Sequence, residues 1–273
     1  MGVTFTDDLG TRHEVSKNSR ILSLVPSITE LFFDLGLSDQ LVGRTQYCIH
    51  PADEIERIPS VGGTKKINMA KVKTAAPTHA ILNVDENPKS MADDLSELGI
   101  QVIVTHPMRP QDNINLFTLI GGIFNRPEQA QALTDKFSSE LGHLEQSDER
   151  LPKKVLYLIW KDPWMAVSAE TYVANTLQLL NWQISTPGML DGQTGDAARY
   201  PKIEITNENL NDVDLILFSS EPYSFDQTHI SEFQTAFPDH VQKAHIIDGE
   251  MTSWYGSRAI TGLSYLRTFA ERL

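Results

Sequence analysis

Apolar residues recur along the whole chain in short clusters with two distinct periods. Residues 20–24 (RILSL) read as a buried strand, as do 40–45 (QLVGRT), 79–83 (HAILN) and 100–105 (IQVIVT). Between them lie segments with helical spacing. Val25-Pro26 ends the first strand, and Ser27-Ile28-Thr29-Glu30 has the spacing of a capping box with Ser27 as N-cap. That helix runs to Leu35 and Gly36 stops it, and a second helix over 88–98 is closed by Gly99. Strand and helix in alternation predict a parallel sheet with helices on its faces.

After residue 111 the pattern changes. A helix is expected over 112–124, and Asn125-Arg126-Pro127 then opens a longer one with proline in its first turn. Ala130, Leu133, Phe137, Leu141 and Leu144 step by three and four residues, giving one apolar stripe. This helix is expected to run to about Asp148, roughly 30 Å for about 20 residues. The alternation then resumes, with strands at 154–159, 213–219 and 244–247 and helices at 170–180, 228–236 and 257–271. The reading is an α/β protein of two lobes, each a mainly parallel sheet flanked by helices, joined by one long backbone helix. The expected boundaries are an N-terminal lobe over 1–126, the connecting helix over 127–149 and a C-terminal lobe over 150–273.

Composition narrows the functions. Of 273 residues, 23 are Lys or Arg and 36 are Asp or Glu, a net charge of −13. Such a surface repels nucleic acid and anionic lipid. The single cysteine, Cys48, excludes an intrachain disulfide and a cysteine-based zinc or iron–sulfur site. No run of 18 apolar residues predicts membrane insertion. The start, MGVTFTDD, has neither a basic nor an apolar stretch and reads as no signal peptide. No G-x-G-x-x-G, Walker A or G-x-S-x-G motif is present, Gly62-Gly63-Thr64-Lys65-Lys66 lacks P-loop spacing, and His13-Glu14 is followed by Lys17 where a zincin needs histidine. No catalytic residue is therefore nominated.

Ligands of open α/β sheets bind beyond the carboxyl ends of the strands. The segments there carry Pro26 and Ser27, Tyr47 and His50, Asn83, Asp85 and Glu86, and His106; further along they carry Trp160 to Trp164, Arg199 and Tyr200, Glu221 to Phe225, and Glu250 to Arg258 with Trp254. Aromatic walls with few polar groups suit a flat, partly apolar ligand. Each has a plainer reading as well: Trp160 and Trp164 as core, His50 and His106 as turn residues, Glu221 as a cap or solvated, Lys65 and Lys66 as solvated.

Seven stretches, RILSLVPSITE (20–30), LVGRTQYCIHP (41–51), VGGTK (61–65), PWMAV (163–167), RYPKI (199–203), SSEPYSF (219–225) and SWYGSR (253–258), resemble the helical-backbone substrate-binding proteins of ABC importers, in the branch that binds vitamin B12, ferric siderophores and haem. The resemblance implies a non-enzymatic binding protein, two lobes that move little and a corrinoid or other metal chelate (ferric siderophore or haem) in the cleft between them. It implies ligand contacts at Pro26, Ser27, Tyr47, Thr64, Asn83, Tyr200, Glu250 and Trp254. Thr64 and Asn83 stand where the vitamin B12-binding branch has tryptophans, Glu250 where it has aspartate, and Trp254 where it has arginine. Trp160, Arg199 and Glu221 complete the candidate set, and Arg44, Lys65, Lys161 and Arg199 are cations that could pair with ligand carboxylates. A bare metal ion on His50, His106 and Glu221 is the alternative, and an enzyme on the same scaffold a weaker one. No cofactor is required. Partners implied are the chelate and an ABC permease, docked through Glu208 in one lobe, while Ala70 and Lys71 stand at the matching place in the other. A monomer is expected, periplasmic by resemblance, with the cytoplasm left open by the N-terminus.

Overall fold

The computed structural model describes residues 2–145 and 150–273. The chain divides into two compact units. Unit 1 holds the residues up to Pro107, Gln111–Ser139 and Tyr255–Ile260; unit 2 holds Met108–Pro110, Glu140–Trp254 and Thr261–Leu273.

Unit 1 opens with a hairpin that the sequence pattern does not announce, β1 (Thr4–Thr6) antiparallel to β2 (Arg12–Glu14). It continues through β3 (Ile21–Ser23), α1 (Pro26–Asp34), β4 (Leu41–Thr45), β5 (Ser60–Gly62), α2 (Met69–Ala75), β6 (His79–Asn83), α3 (Lys89–Glu97), β7 (Gln101–Thr105) and α4 (Asp112–Ile123), into α5 (Pro127–Glu145). The sheet order is β5-β4-β3-β6-β7, with every pairing parallel. All five residues of β6 are buried, its apolar residues 80–82 flanked by the buried polar His79 and Asn83, as suits an interior strand of a parallel sheet covered on both faces. Leu22, Leu24, Ala80 and Leu82 pack with Val72 of α2 and Met91 and Leu95 of α3. The intervening Ile21 and Ile81 are fully buried too, so both faces are covered. The hairpin docks where α4 is smallest: a Cβ on Gly122 would fall 2.1 Å from the Phe5 ring. Asp7 ties the hairpin to β7, accepting from Val104 N at 3.1 Å.

The expected capping box at Ser27 and Glu30 does not form. Pro26 occupies the first helical position, Val25 is the N-cap, and no side chain caps the helix. Proline lacks the N–H that a cap would satisfy and its φ already suits a helix, which moves Ser27 inside the first turn. Glu30 instead receives Arg258 in a two-pronged ion pair at 2.8 and 2.7 Å. Gly36 ends the segment with φ +66°.

The stripe on α5 is as expected: Ala130, Leu133, Phe137, Leu141 and Leu144 are all buried. The expected end near Asp148 lies outside the described residues. The division between the units falls inside this helix, between Ser139 and Glu140, and again inside the C-terminal helix, between Ile260 and Thr261.

Unit 2 contains β8 (Lys153–Trp160), β9 (Met165–Ala166), α6 (Tyr172–Gln178), β10 (Trp182–Ile184), α7 (Asp196–Arg199), α8 (Asn207–Leu210), β11 (Leu215–Ser219), α9 (Gln227–Ala236), β12 (Ala244–Ile247), α10 (Gly249–Ser253) and most of α11 (Arg258–Ala270). The parallel order is β10-β8-β11-β12, and β9 pairs antiparallel with β8. Leu156, Leu158, Ile216 and Phe218 of the sheet pack with Phe225, and with Ile230 and Phe233 of α9. A capping box does occur here, with Asp226 as N-cap and His229 as its reciprocal partner. Among the described residues no helix is long and apolar enough to cross a membrane.

Candidate functional site

Most of the candidate residues lie at the carboxyl ends of the parallel strands, whereas Arg199 and Tyr200 end α7. In unit 1 Pro26 and Ser27 follow β3, Tyr47 follows β4, Thr64 follows β5, Asn83 ends β6 and His106 follows β7. Much of this rim is built by side chains bonding to backbone. Asn83 Oδ1 accepts from Asp85 N at 2.8 Å and Glu86 N at 3.3 Å, turning the chain after β6. Asn87, which the sequence reading passes over, takes Asn83 N on its oxygen at 2.8 Å and donates to Leu24 O and Thr64 O at 3.2 and 2.9 Å. It thereby fastens the ends of β3, β5 and β6 to one another. The Asn87-Pro88 dipeptide is the turn signal that could have drawn attention to it. Tyr47 stands apart from this network, 54% exposed, its ring against Gly63, where a Cβ would come within 3.2 Å.

Segment Tyr255–Ile260 belongs to this unit, and its contacts tie it to three other elements of the rim. Tyr255 Oη donates to Glu86 Oε1 at 2.7 Å, Gly256 N to Asn113 Oδ1 at 2.6 Å, and Arg258 meets Glu30. Burial, reinforced by the Glu86 charge, pushes the Tyr255 phenol well above its ordinary range. Burial also raises Glu30, against the pull of Arg258.

Unit 2 has a different rim. Trp160 ends β8, Glu221 follows β11, and Glu250 and Trp254 lie in and just after α10. Trp160 is 40% exposed, its ring 5.4 Å edge-on from Tyr223, whereas Trp164 packs into the core against Phe218 and Phe225. The plainer reading as core thus holds for Trp164 and not for Trp160. Glu221 Oε1 accepts from Trp254 Nε1 at 2.7 Å and Ser253 Oγ at 3.0 Å. Burial raises the Glu221 carboxyl above the usual range; the bonds from Ser253 and Trp254 oppose this, and the Glu250 and Asp248 charges add to it. The close approach needs Gly249: a Cβ there would lie 2.5 Å from Glu221 Cγ and from Ser219 Oγ. Beneath it the buried Tyr157 hydroxyl bonds Ser219 Oγ at 3.0 Å and Thr252 Oγ1 at 2.5 Å.

A profile described as periplasmic binding protein matches residues 21–249. The chain belongs to that family. It is 25% identical over 161 residues to the vitamin B12-binding protein of Yersinia pestis (strain Pestoides F), 59% of this chain and 57% of that protein. The alignment thus spans little more than half the length of the curated relatives it matches. Among solved structures, the periplasmic vitamin B12-binding protein BtuF of Vibrio cholerae superposes with TM-score 0.78 at 18% identity, over 94% of this chain and 98% of that one. The periplasmic heme-binding protein HutB of Vibrio cholerae gives 0.73 at 20%, over 93% and 99%. These structures share the fold: two α/β units with a helix, α5, running from one into the other. The relatives named are binding proteins, not enzymes.

As a family member the chain departs from expectation at its cations. Arg44 is no rim group: its guanidinium donates to the carbonyls of Ile55 (3.1 Å), Ile58 (2.9 Å), Thr45 (3.1 Å) and Cys48 (3.2 Å). Lys65 Nζ donates to Asp85 O at 2.8 Å, and Lys161 pairs with Glu232. Arg199 donates to Glu170 O at 3.1 Å and lies over the half-buried Tyr200 ring. Nor do the histidines assemble a metal centre. Among the described residues no group of three or more His, Cys, Asp or Glu side chains could hold a metal ion. His106 sits 3.4 Å from Asp85 and donates its backbone N–H to Asp8, while His50 precedes the cis peptide bond to Pro51. The bare-metal arrangement of His50, His106 and Glu221 is therefore not formed. Glu208 is exposed on α8 behind the Thr206 cap, and Lys71, on α2, donates to Ser60 O at 3.1 Å.

Proposed function

We propose that this protein captures a metal chelate, a corrinoid before haem or a ferric siderophore, at the carboxyl-terminal rims of its sheets, and hands it to an ABC permease. The observation that carries the reading is the pair of exposed aromatics, Tyr47 in unit 1 and Trp160 in unit 2, each at a strand end where a ligand binds in such sheets. Large rings left in water at those places suit a broad, partly apolar macrocycle. The names of the B12- and heme-binding relatives support the same class. The engaged state of Arg44, Lys65, Lys161 and Arg199 favours a chelate that does not rely on anionic groups. Ser27, Thr64, Asn83, Tyr200, Glu250 and Trp254 form the remaining contact set, with Pro26 shaping the first turn. Binding needs no cofactor, the protein acts as a monomer in the periplasm, and Glu208 is the permease contact of unit 2.

The test is titration of the purified protein with cyanocobalamin, haemin and a ferric hydroxamate, followed by visible spectra and calorimetry. Saturable one-to-one binding of cyanocobalamin, tighter than that of the others, is expected. No binding of any of the three overturns the reading.

A further inference from the structure

We propose that Glu221 sets ligand preference at the unit 2 rim: its oxygen Oε2 accepts a hydrogen bond from an N–H of the ligand and so selects a chelate bearing peripheral carboxamides over one bearing carboxylates. This rests on the chelate-binding reading above. The geometry of the carboxylate is its basis. Both donors, Ser253 Oγ and Trp254 Nε1, land on Oε1, and among the described residues no group donates to Oε2. A carboxylate with one oxygen pinned and the other available has a fixed plane and one remaining acceptor direction. Gly249 makes that arrangement possible, since any side chain there would meet Glu221 Cγ.

The surroundings determine which ligand group Oε2 admits. Glu250 and Asp248 of the neighbouring α10 segment reach it with negative charge, and Ser219, whose Oγ donates to Glu221 O, is held from the other side by the buried Tyr157 hydroxyl. In unit 2 the two nominated cations are engaged elsewhere, Lys161 by Glu232 and Arg199 by Glu170 O and Tyr200. A ligand carboxylate arriving at Oε2 would meet a like charge in a half-buried place, where screening is weak. An amide N–H would meet a charged acceptor, among the stronger hydrogen bonds available. A site built to accept a donor discriminates sharply against the analogue that lacks it.

The experiment uses cyanocobalamin and its monocarboxylic acids, in each of which one peripheral carboxamide is hydrolysed to a carboxylate. Each is titrated calorimetrically into the wild type and Glu221→Gln. The glutamine keeps the shape and still accepts from Trp254, so near-ultraviolet circular dichroism should match the wild type. At least one monoacid should bind the wild type about tenfold more weakly than cyanocobalamin, and the gap should shrink to about threefold or less in Glu221→Gln. Equal binding of every monoacid by the wild type, or a gap unchanged in the variant, overturns the assignment of Glu221 alone. Failure of the wild type to bind cyanocobalamin overturns the chelate reading and this inference with it.

Discussion

The two rims occupy equivalent places in their units and are built on different chemistry. That of unit 1 is tied by its side chains to its own backbone: Asn87 and Asn83 span three strand ends, and the Arg44 guanidinium fastens four carbonyls. That of unit 2 presents a half-exposed tryptophan and a carboxylate held off its ordinary pKa by burial. Side chains that satisfy the backbone stabilise a loop but have little capacity left for a ligand. A carboxylate held in a costly environment keeps binding capacity at the expense of stability. Mutations of the backbone-bound Asn87 and Arg44 of unit 1 should therefore cost stability, and mutations at the unit 2 rim affinity.

The largest effect is expected at Asn87. Asn87→Ala removes three hydrogen bonds and leaves Leu24 O, Thr64 O and Asn83 N without that partner, a loss of about 2–4 kcal/mol in urea unfolding. A cost under about 0.5 kcal/mol would mean that the rim is not held this way. Next is Arg44→Met, expected to lose about 1–3 kcal/mol while leaving chelate affinity within about twofold. A large fall in affinity at unchanged stability would restore Arg44 as a ligand contact. Trp160→Ala should change stability by less than about 1 kcal/mol, because its ring packs edge-on against Tyr223 and is otherwise largely in water, yet weaken binding about five- to tenfold.

The smallest stability effect, and the one of opposite sign, belongs to Glu221. Its folded pKa is raised, so the fold favours the protonated acid; that contribution is present below the unfolded carboxylate pKa and is lost as pH rises through the folded value. Glu221→Gln, which carries no charge, should match or exceed the wild-type melting temperature at pH 7, and the difference should shrink as pH falls towards 4. A variant that melts lower at pH 7 and recovers nothing in acid would place Glu221 among the structural groups instead.

Much of the architecture was legible because β6 and β11 carry the apolar runs 80–82 and 215–218 and α5 carries an uninterrupted stripe; such patterns depend only on local periodicity. The hairpin of unit 1 was not, since its strands are three residues each and its anchor, Phe5 on Gly122, joins positions over a hundred residues apart. Ser27 and Glu30 have the letters of a capping box, but Pro26 had already taken the first helical position. At the site, the sequence marks which residues follow strands. It cannot mark what each one touches: Arg44 reads as an open cation until the carbonyls of Ile55 and Ile58 are folded around it. Asn87 likewise reads as an ordinary turn residue, and Gly249 as an ordinary glycine, until Glu221 is brought against it.

The central claim, that the strand-end rims capture a corrinoid-like chelate, is tested most directly by calorimetric titration of cyanocobalamin into the wild type beside Trp160→Ala. The account predicts one site with a Kd of about 1 µM or tighter, some 8 kcal/mol of binding free energy, and a clear weakening in the variant. A wild-type titration without heat or spectral change, or one that Trp160→Ala leaves untouched, would contradict it.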